Sequence, residues 1–260
     1  MATKTLLHFP KSLFRLIGSL QDVMAAFPVQ STAAALCLAM LVRRVNKDYR
    51  AWYNLGPGGC SHNILGYIFS YSLTLLSSRD IKQTFCYEPL IAASPSLSGI
   101  PIRAGAPPVV SKWMVPVRQL SARASEARLE EMEAMVHEIA AKHDLVFTAP
   151  SIIEGGHSPA LYIQANHLIK GEVQNPARER EVFHFHESEG SVHVTLSPAD
   201  AKYVLDRGWG QRHPLSGYFG MGFTYVMIYS PRNDEELDVL RKITYAAIDY
   251  ALERRKLGGL

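Results

Sequence analysis

A chain of 260 residues with an apolar fraction of 47% can bury one sizeable core, and its length suits one domain with additions better than two full domains. The net charge of +3, with no dense Lys/Arg run interleaved with aromatics, gives no support to nucleic-acid binding. The three cysteines, Cys37, Cys60 and Cys86, form neither a zinc pattern nor a disulfide framework and suit a reducing compartment.

Residues 11–22 put Leu13, Phe14, Ile17 and Leu20 on one helical stripe, with Lys11 and Arg15 off it, which predicts an interfacial amphipathic helix. Residues 23–42 carry no charge and, as a helix, would match the roughly 30 Å of a bilayer's hydrocarbon core. They are Ala-rich and contain Pro28, Gln30, Ser31 and Thr32. The basic cluster that follows, Arg43 and Arg44 onward, predicts a membrane anchor with the next domain on the cytosolic side. A buried helix of a soluble protein is the alternative. Residues 1–50 are therefore read as an amphipathic and membrane-anchor segment, and residues 51–260 as the α+β domain. An internal membrane such as the endoplasmic reticulum is the expected location. Residues 64–76 are apolar but too short to cross a bilayer easily, and predict a buried or membrane-grazing helix. Residues 94–108, rich in Pro, Ser and Gly, read as an irregular connection.

Residues 121–143 form an amphipathic helix with Met132, Val136 and Ile139 on the apolar line and its glutamates on a solvated face. Residues 145–149 and 160–164 read as strands. The turn between them, Glu154-Gly155-Gly156-His157, can aim His157 inward. Next, Val182-Phe183-His184-Phe185-His186 and Val192-His193-Val194-Thr195-Leu196 alternate with the period of half-buried strands. Glu187-Ser188-Glu189-Gly190 joins them as a hairpin loop. That register sets His184 opposite His193, Phe185 opposite Val192 and His186 opposite Ser191. One face then carries His184, His186 and His193, and the other carries Phe183, Phe185, Val192 and Val194. The apolar face belongs against a core; the imidazole face should line a pocket.

Ser197 reads as an N-cap with Pro198 at the first helical position, and Gly208 as the C-terminal stop. The loop of residues 209–215 carries Trp209, Arg212 and His213. Taken singly, Trp209 is the kind of residue found in a core and Arg212 the kind found in an ion pair. Residues 216–222 form a Gly/aromatic loop with Tyr218 and Phe219, suited to a lid or pocket rim. A strand at residues 223–229 and a helix from the Asn233 cap to about residue 255 complete the chain. A tight hairpin implies an antiparallel or mixed sheet, so the fold class is α+β with helices packed on one face. Walker, dinucleotide and Gly-x-Ser-x-Gly patterns are absent, which argues against nucleotide-driven chemistry and a standard serine hydrolase.

The run from Glu181 through His184, His186 and His193, then Gly208-Trp209-Gly210-Gln211-Arg212-His213-Pro214-Leu215, then Tyr229-Ser230-Pro231-Arg232, resembles the fungal luciferase family. Lys47-Asp48-Tyr49-Arg50 and Leu55-Gly56-Pro57 extend the likeness to about residues 40–250. Residues 217–223 depart from the family's luminous members, and Ser230 stands where they have alanine. The resemblance implies an enzyme that oxidises 3-hydroxyhispidin, a 3-hydroxy-2-pyranone, with O2, loss of CO2 and light emission, and without flavin, haem or metal. On that reading His184, His186, His193 and His213 are catalytic, one of them as the base that makes the enolate. Arg212 would hold the anion. Trp209, Tyr218 and Phe219 would wall a dry pocket, with His157 beside them. Two rival readings follow from the same residues. A Zn(II) or Fe(II) enzyme could use the three strand imidazoles as ligands. A membrane-anchored, non-catalytic binder could hold a lipid or polyketide. Asp/Glu scarcity around the histidines fits all three.

Overall fold

The computed structural model describes residues 21–22, 24–77, 80–164 and 181–256. The chain divides into two compact units, Met1–Ala51 and Trp52–Leu260. The first supplies most of helix α1 (Pro28–Tyr53). Proline starts this helix because its missing N–H would be unpaired there anyway and its φ is already helical. The anchor expected over residues 23–42 is not seen as a separate span. The helix begins at Pro28 and runs on through Arg43, Arg44, Lys47, Asp48 and Arg50. Among the described residues no helix is long and apolar enough to cross a membrane. The helix starts only at Pro28, and its uncharged stretch, diluted by Gln30, Ser31 and Thr32, ends at Arg43, after which charges fill the rest. Most of the amphipathic stretch at residues 11–22 lies outside the described residues.

The second unit is built on a six-stranded sheet, every neighbour antiparallel. Its strands are β1 (Val146–Pro150), β2 (Pro159–Ile163), β3 (Glu181–Phe185), β4 (Val192–Thr195), β5 (Gly210–Arg212) and β6 (Tyr225–Ile228). Spatial order is β1-β2-β3-β4-β6-β5. The hairpin has the register the alternation demands: His184 faces His193 and Phe185 faces Val192. The His186 amide donates to the Ser191 carbonyl at 2.9 Å. β5 is read from sequence as loop, because three residues including a glycine and two polar side chains carry no strand pattern. Pairing along β6 makes it a strand.

Phe183, Phe185, Val192, Val194, Val226 and Ile228 join three helices in one buried cluster. Those helices are α3 (Glu126–Lys142), α4 (Pro198–Asp206) and α5 (Asp234–Lys256). Each has a sequence-encoded start. Ser125 Oγ accepts from Arg128 N, Ser197 Oγ accepts from Asp200 N, and Asn233 Oδ1 accepts from Glu236 N at 3.0 Å. Gly208, with φ +77°, ends α4 in a conformation that disfavours any side chain.

The imidazole face is covered differently. A short helix α2 (Ile64–Ser72), capped by Asn63, buries Tyr67 and Ser70 and leaves Ile64, Leu65 and Ile68 exposed. Ser70 Oγ accepts from the Val115 amide, and Trp52 Nε1 donates to the Val115 carbonyl. These bonds hold the irregular segment around residues 114–118 in place over the sheet. Helices are thus not confined to one face: three pack on the apolar side, and α2 with irregular chain roofs the other.

Candidate active site: a buried imidazole–carboxylate cluster

Four imidazoles converge as the strand pattern requires. Ring centroids are 5.5 Å apart for His184–His186, 5.2 Å for His184–His193, 4.9 Å for His186–His193 and 5.0 Å for His193–His213. Tyr225, next but one to Met227 on β6 and so on the same face, stacks on His193 at 5.2 Å. All four histidines are buried.

Three glutamates buried around them overturn the expectation that acids are scarce here. Glu181 Oε1 accepts from His184 Nδ1 at 2.7 Å, and Glu189 Oε1 accepts from His186 Nδ1 at 2.8 Å. In a regular strand Glu181 and His184 would face opposite sides. The register between β2 and β3 slips by one, pairing Ala160 with His184, Leu161 with Phe183 but Tyr162 with Glu181. Val182 is the extra residue of a bulge, which turns Glu181 onto the imidazole face. Glu189 reaches His186 from the hairpin loop. Gly190, with φ +83°, closes that loop by donating its N–H to the His186 carbonyl at 2.7 Å. Glu154 comes from the β1–β2 turn. Its Oε2 takes a charged hydrogen bond from Arg118 Nη2 at 2.6 Å. Its Oε1 lies 3.5 Å from His186 Nε2 and 3.8 Å from His184 Nε2.

Electrostatics follow from this wiring. Burial would raise Glu154, but His186, Arg118 and His184 hold it well below the ordinary glutamate value. Burial likewise opposes ionisation of Glu181 and Glu189, and is outweighed by their imidazole and hydroxyl donors. Glu181 also accepts from Ser151 Oγ, the Tyr162 hydroxyl and the Ile152 and Ile153 amides. His186 is pulled down by burial and Arg118 but raised overall by Glu154 and Glu189. Burial, then the neighbouring imidazoles, push His193 well below the usual histidine value. Burial lowers His213 to about 3. His213 Nδ1 accepts from the Leu215 amide at 3.1 Å, so the neutral ring carries its proton on Nε2 and acts as a donor.

Glu154, His193, His213 and Tyr225 line one end of a cavity of about 180 Å3, and Phe69, Leu73, Met114, Leu215, Phe219 and Met221 make its apolar walls. Phe219 therefore reaches the cavity, whereas Tyr218 does not border it and is 45% exposed. Three other expected site residues are elsewhere. His157 is exposed on its turn, because Glu154 and not His157 is the side chain that turn directs inward. Trp209 is core: its Nε1 donates to the Pro101 carbonyl at 2.7 Å and its ring joins the apolar cluster under the helices. Arg212 pairs with Val226, one residue out of step with Met227, and so projects on the opposite face from His193. Its guanidinium lies over Tyr87 and Phe223, at 5.4 and 5.1 Å from the ring centroids. The signals for two of the missed acids are in the sequence: each end of the His184–His186 pair has a glutamate three residues away. Nothing local marks Glu154 or Arg118, which are assembled from distant segments.

A family model described as luciferase domain matches residues 179–247, a stretch that holds all four clustered histidines with Glu181 and Glu189. The chain is 30% identical to a luciferase of Armillaria ostoyae over 84% of its own length and 85% of the relative's. A luciferase of Armillaria gallica is 30% identical over 84% and 87% of the two chains, and one of Neonothopanus nambi 28% identical over 92% of both. No solved structure matches. With the histidine-bearing strands inside the matched region and the likeness running across most of both chains, the protein belongs to the fungal luciferase family.

Proposed function

We propose that the chain is an O2-dependent oxygenase acting on a 3-hydroxy-2-pyranone of the 3-hydroxyhispidin type, with release of CO2 and light. The observation that carries this reading is one cavity with apolar walls and a buried end made of His193, His213 and Glu154. A flat, largely apolar polyphenol suits the walls, and its acidic 3-hydroxyl suits the polar end. The cluster takes the hydroxyl proton, and the resulting electron-rich enolate is what reacts with O2. O2 is the oxidant, and its two atoms are shared between the product and CO2. The Nε2–H of His213 donates to the oxyanion or peroxide as charge develops, which is worth most in a site that excludes water. Phe219 closes over the ring system from the rim.

Purified chain mixed with 3-hydroxyhispidin in air-saturated buffer tests this. Matched O2 consumption and CO2 release, with photons, is the expected result. Substrate consumed with CO2 but no photons keeps the oxygenase and removes the luminescence. Substrate bound and recovered unchanged overturns the proposal in favour of a binding protein.

A further inference from the structure

We propose that His184, His186 and His193, with Glu154 beside them, form a binding site for one divalent first-row transition-metal ion. Each imidazole offers one nitrogen, and these nitrogens all lie within 4.8 Å of one another on fully buried residues. An ion at ligand distances of about 2.0–2.1 Å wants them roughly 3.3–3.5 Å apart, so modest ring rotations complete the site. The Nδ1 of His193 is buried without a hydrogen-bond partner, and the Nε2 atoms of His184 and His186 have only the long approach of Glu154 Oε1 at 3.8 and 3.5 Å, an arrangement that leaves room for a ligand. The far side of two rings is already fixed. Glu181 and Glu189 hold the Nδ1–H of His184 and His186, leaving the Nε2 lone pairs facing inward, as outer carboxylates do for metal-bound imidazoles.

Charge points the same way. Glu154, Glu181 and Glu189 are buried, and the last two each accept from several protein donors that suit a carboxylate. Among the described residues Arg118 is the one Lys or Arg side chain bonded to them. Three buried carboxyl groups against one guanidinium make a setting that suits a cation. Three nitrogens with one oxygen favour a first-row transition ion over Mg2+ or Ca2+, which prefer all-oxygen shells. Glu154 and His193 also border the cavity, so the ion would sit at its polar end. This departs from the metal-free chemistry that the sequence resemblance implies, and it does not rest on the identity of the substrate.

The test uses the full chain without a polyhistidine tag, stripped with chelator and dialysed against Zn(II). One equivalent bound, with X-ray absorption showing about three imidazoles around the zinc, is the expected result. His186→Gln should lose stoichiometric binding. Glu181→Gln, which keeps all three ligands, should weaken it by about 10–100-fold. Folded wild-type chain that binds no zinc, or a zinc shell with fewer than two imidazoles, overturns the proposal. So does unchanged affinity in His186→Gln. Where a variant fails to fold, the absorption spectrum of the wild-type chain decides. In the ion-free alternative, the imidazoles and carboxylates satisfy one another without an ion, and the wild-type chain then stays zinc-free.

Discussion

Glu154 Oε1 stands 3.5 Å from His186 Nε2, and the two residues reach that point from different elements, a turn and the end of a strand. The other Glu154 oxygen is held by Arg118. Arg118→Ala would leave a buried carboxylate without its cation, an uncompensated charge of the kind that destabilises by about 3–5 kcal/mol. Urea unfolding followed by circular dichroism should show that loss. A midpoint within error of wild type would mean that Glu154 does not depend on the guanidinium.

His213 is the one clustered histidine whose proton position is set by a backbone amide. His213→Ala removes a donor from the polar end of the cavity and should lower kcat by about 10^2–10^3-fold, with the thermal midpoint little changed. Single-turnover decay of 3-hydroxyhispidin measures it. A variant at full rate removes His213 from the reaction.

Trp209 and the imidazole cluster belong to different neighbourhoods. Trp209→Phe loses the bond to the Pro101 carbonyl, a change of about 1 kcal/mol in stability. The KM for substrate should stay where it is. A raised KM with unchanged stability would put the indole back at the cavity.

Glu236 accepts from the Arg232 amide and pairs with the guanidinium groups of Arg103 and Arg232. Burial opposes its ionisation, but these partners keep its folded-state pKa below the ordinary 4.5. A depressed carboxylate stabilises the fold above its unfolded value and stops doing so as pH falls through the folded one. Wild type should therefore melt above Glu236→Gln at neutral pH, with the gap closing from about pH 4.5 downward. A gap independent of pH would show that the ionised form contributes nothing.

Much of this molecule is legible in its sequence where local chemistry dictates structure. The two alternating runs fix which side chains share a face, the glycine-terminated loop fixes their register, and Ser197-Pro198 and Asn233 mark helix starts. Legibility ends where an arrangement depends on chain far away. Arg118 and Glu154 meet the histidines only because irregular segments fold over the sheet, and no periodicity encodes that. Arg212 and Trp209 mislead for a related reason. Neighbours of His213 in sequence, they sit in or beside a strand that sequence alone does not reveal, and strand geometry sends their side chains elsewhere. In α1 the uncharged run is easy to see, but the helix starts at Pro28 and meets its first charge at Arg43, which leaves it too short an apolar stretch to cross a membrane.

Residues 187–190 turn the chain between β3 and β4. The turn carries Glu189 into bonding range of His186, and at Gly190 a Cβ would meet Ser230 Oγ at 2.6 Å and the Ala124 Cβ at 2.7 Å. Most exterior bends drift freely in length and composition as proteins diverge. This one has no such latitude: an insertion would pull the carboxylate off its ring, and a bulkier residue at the bend would pry two distant segments apart. Sequence drift among relatives that keep this cluster should therefore spare the length of this turn and its Glu189 and Gly190, while the exposed Glu187 and Ser188 vary.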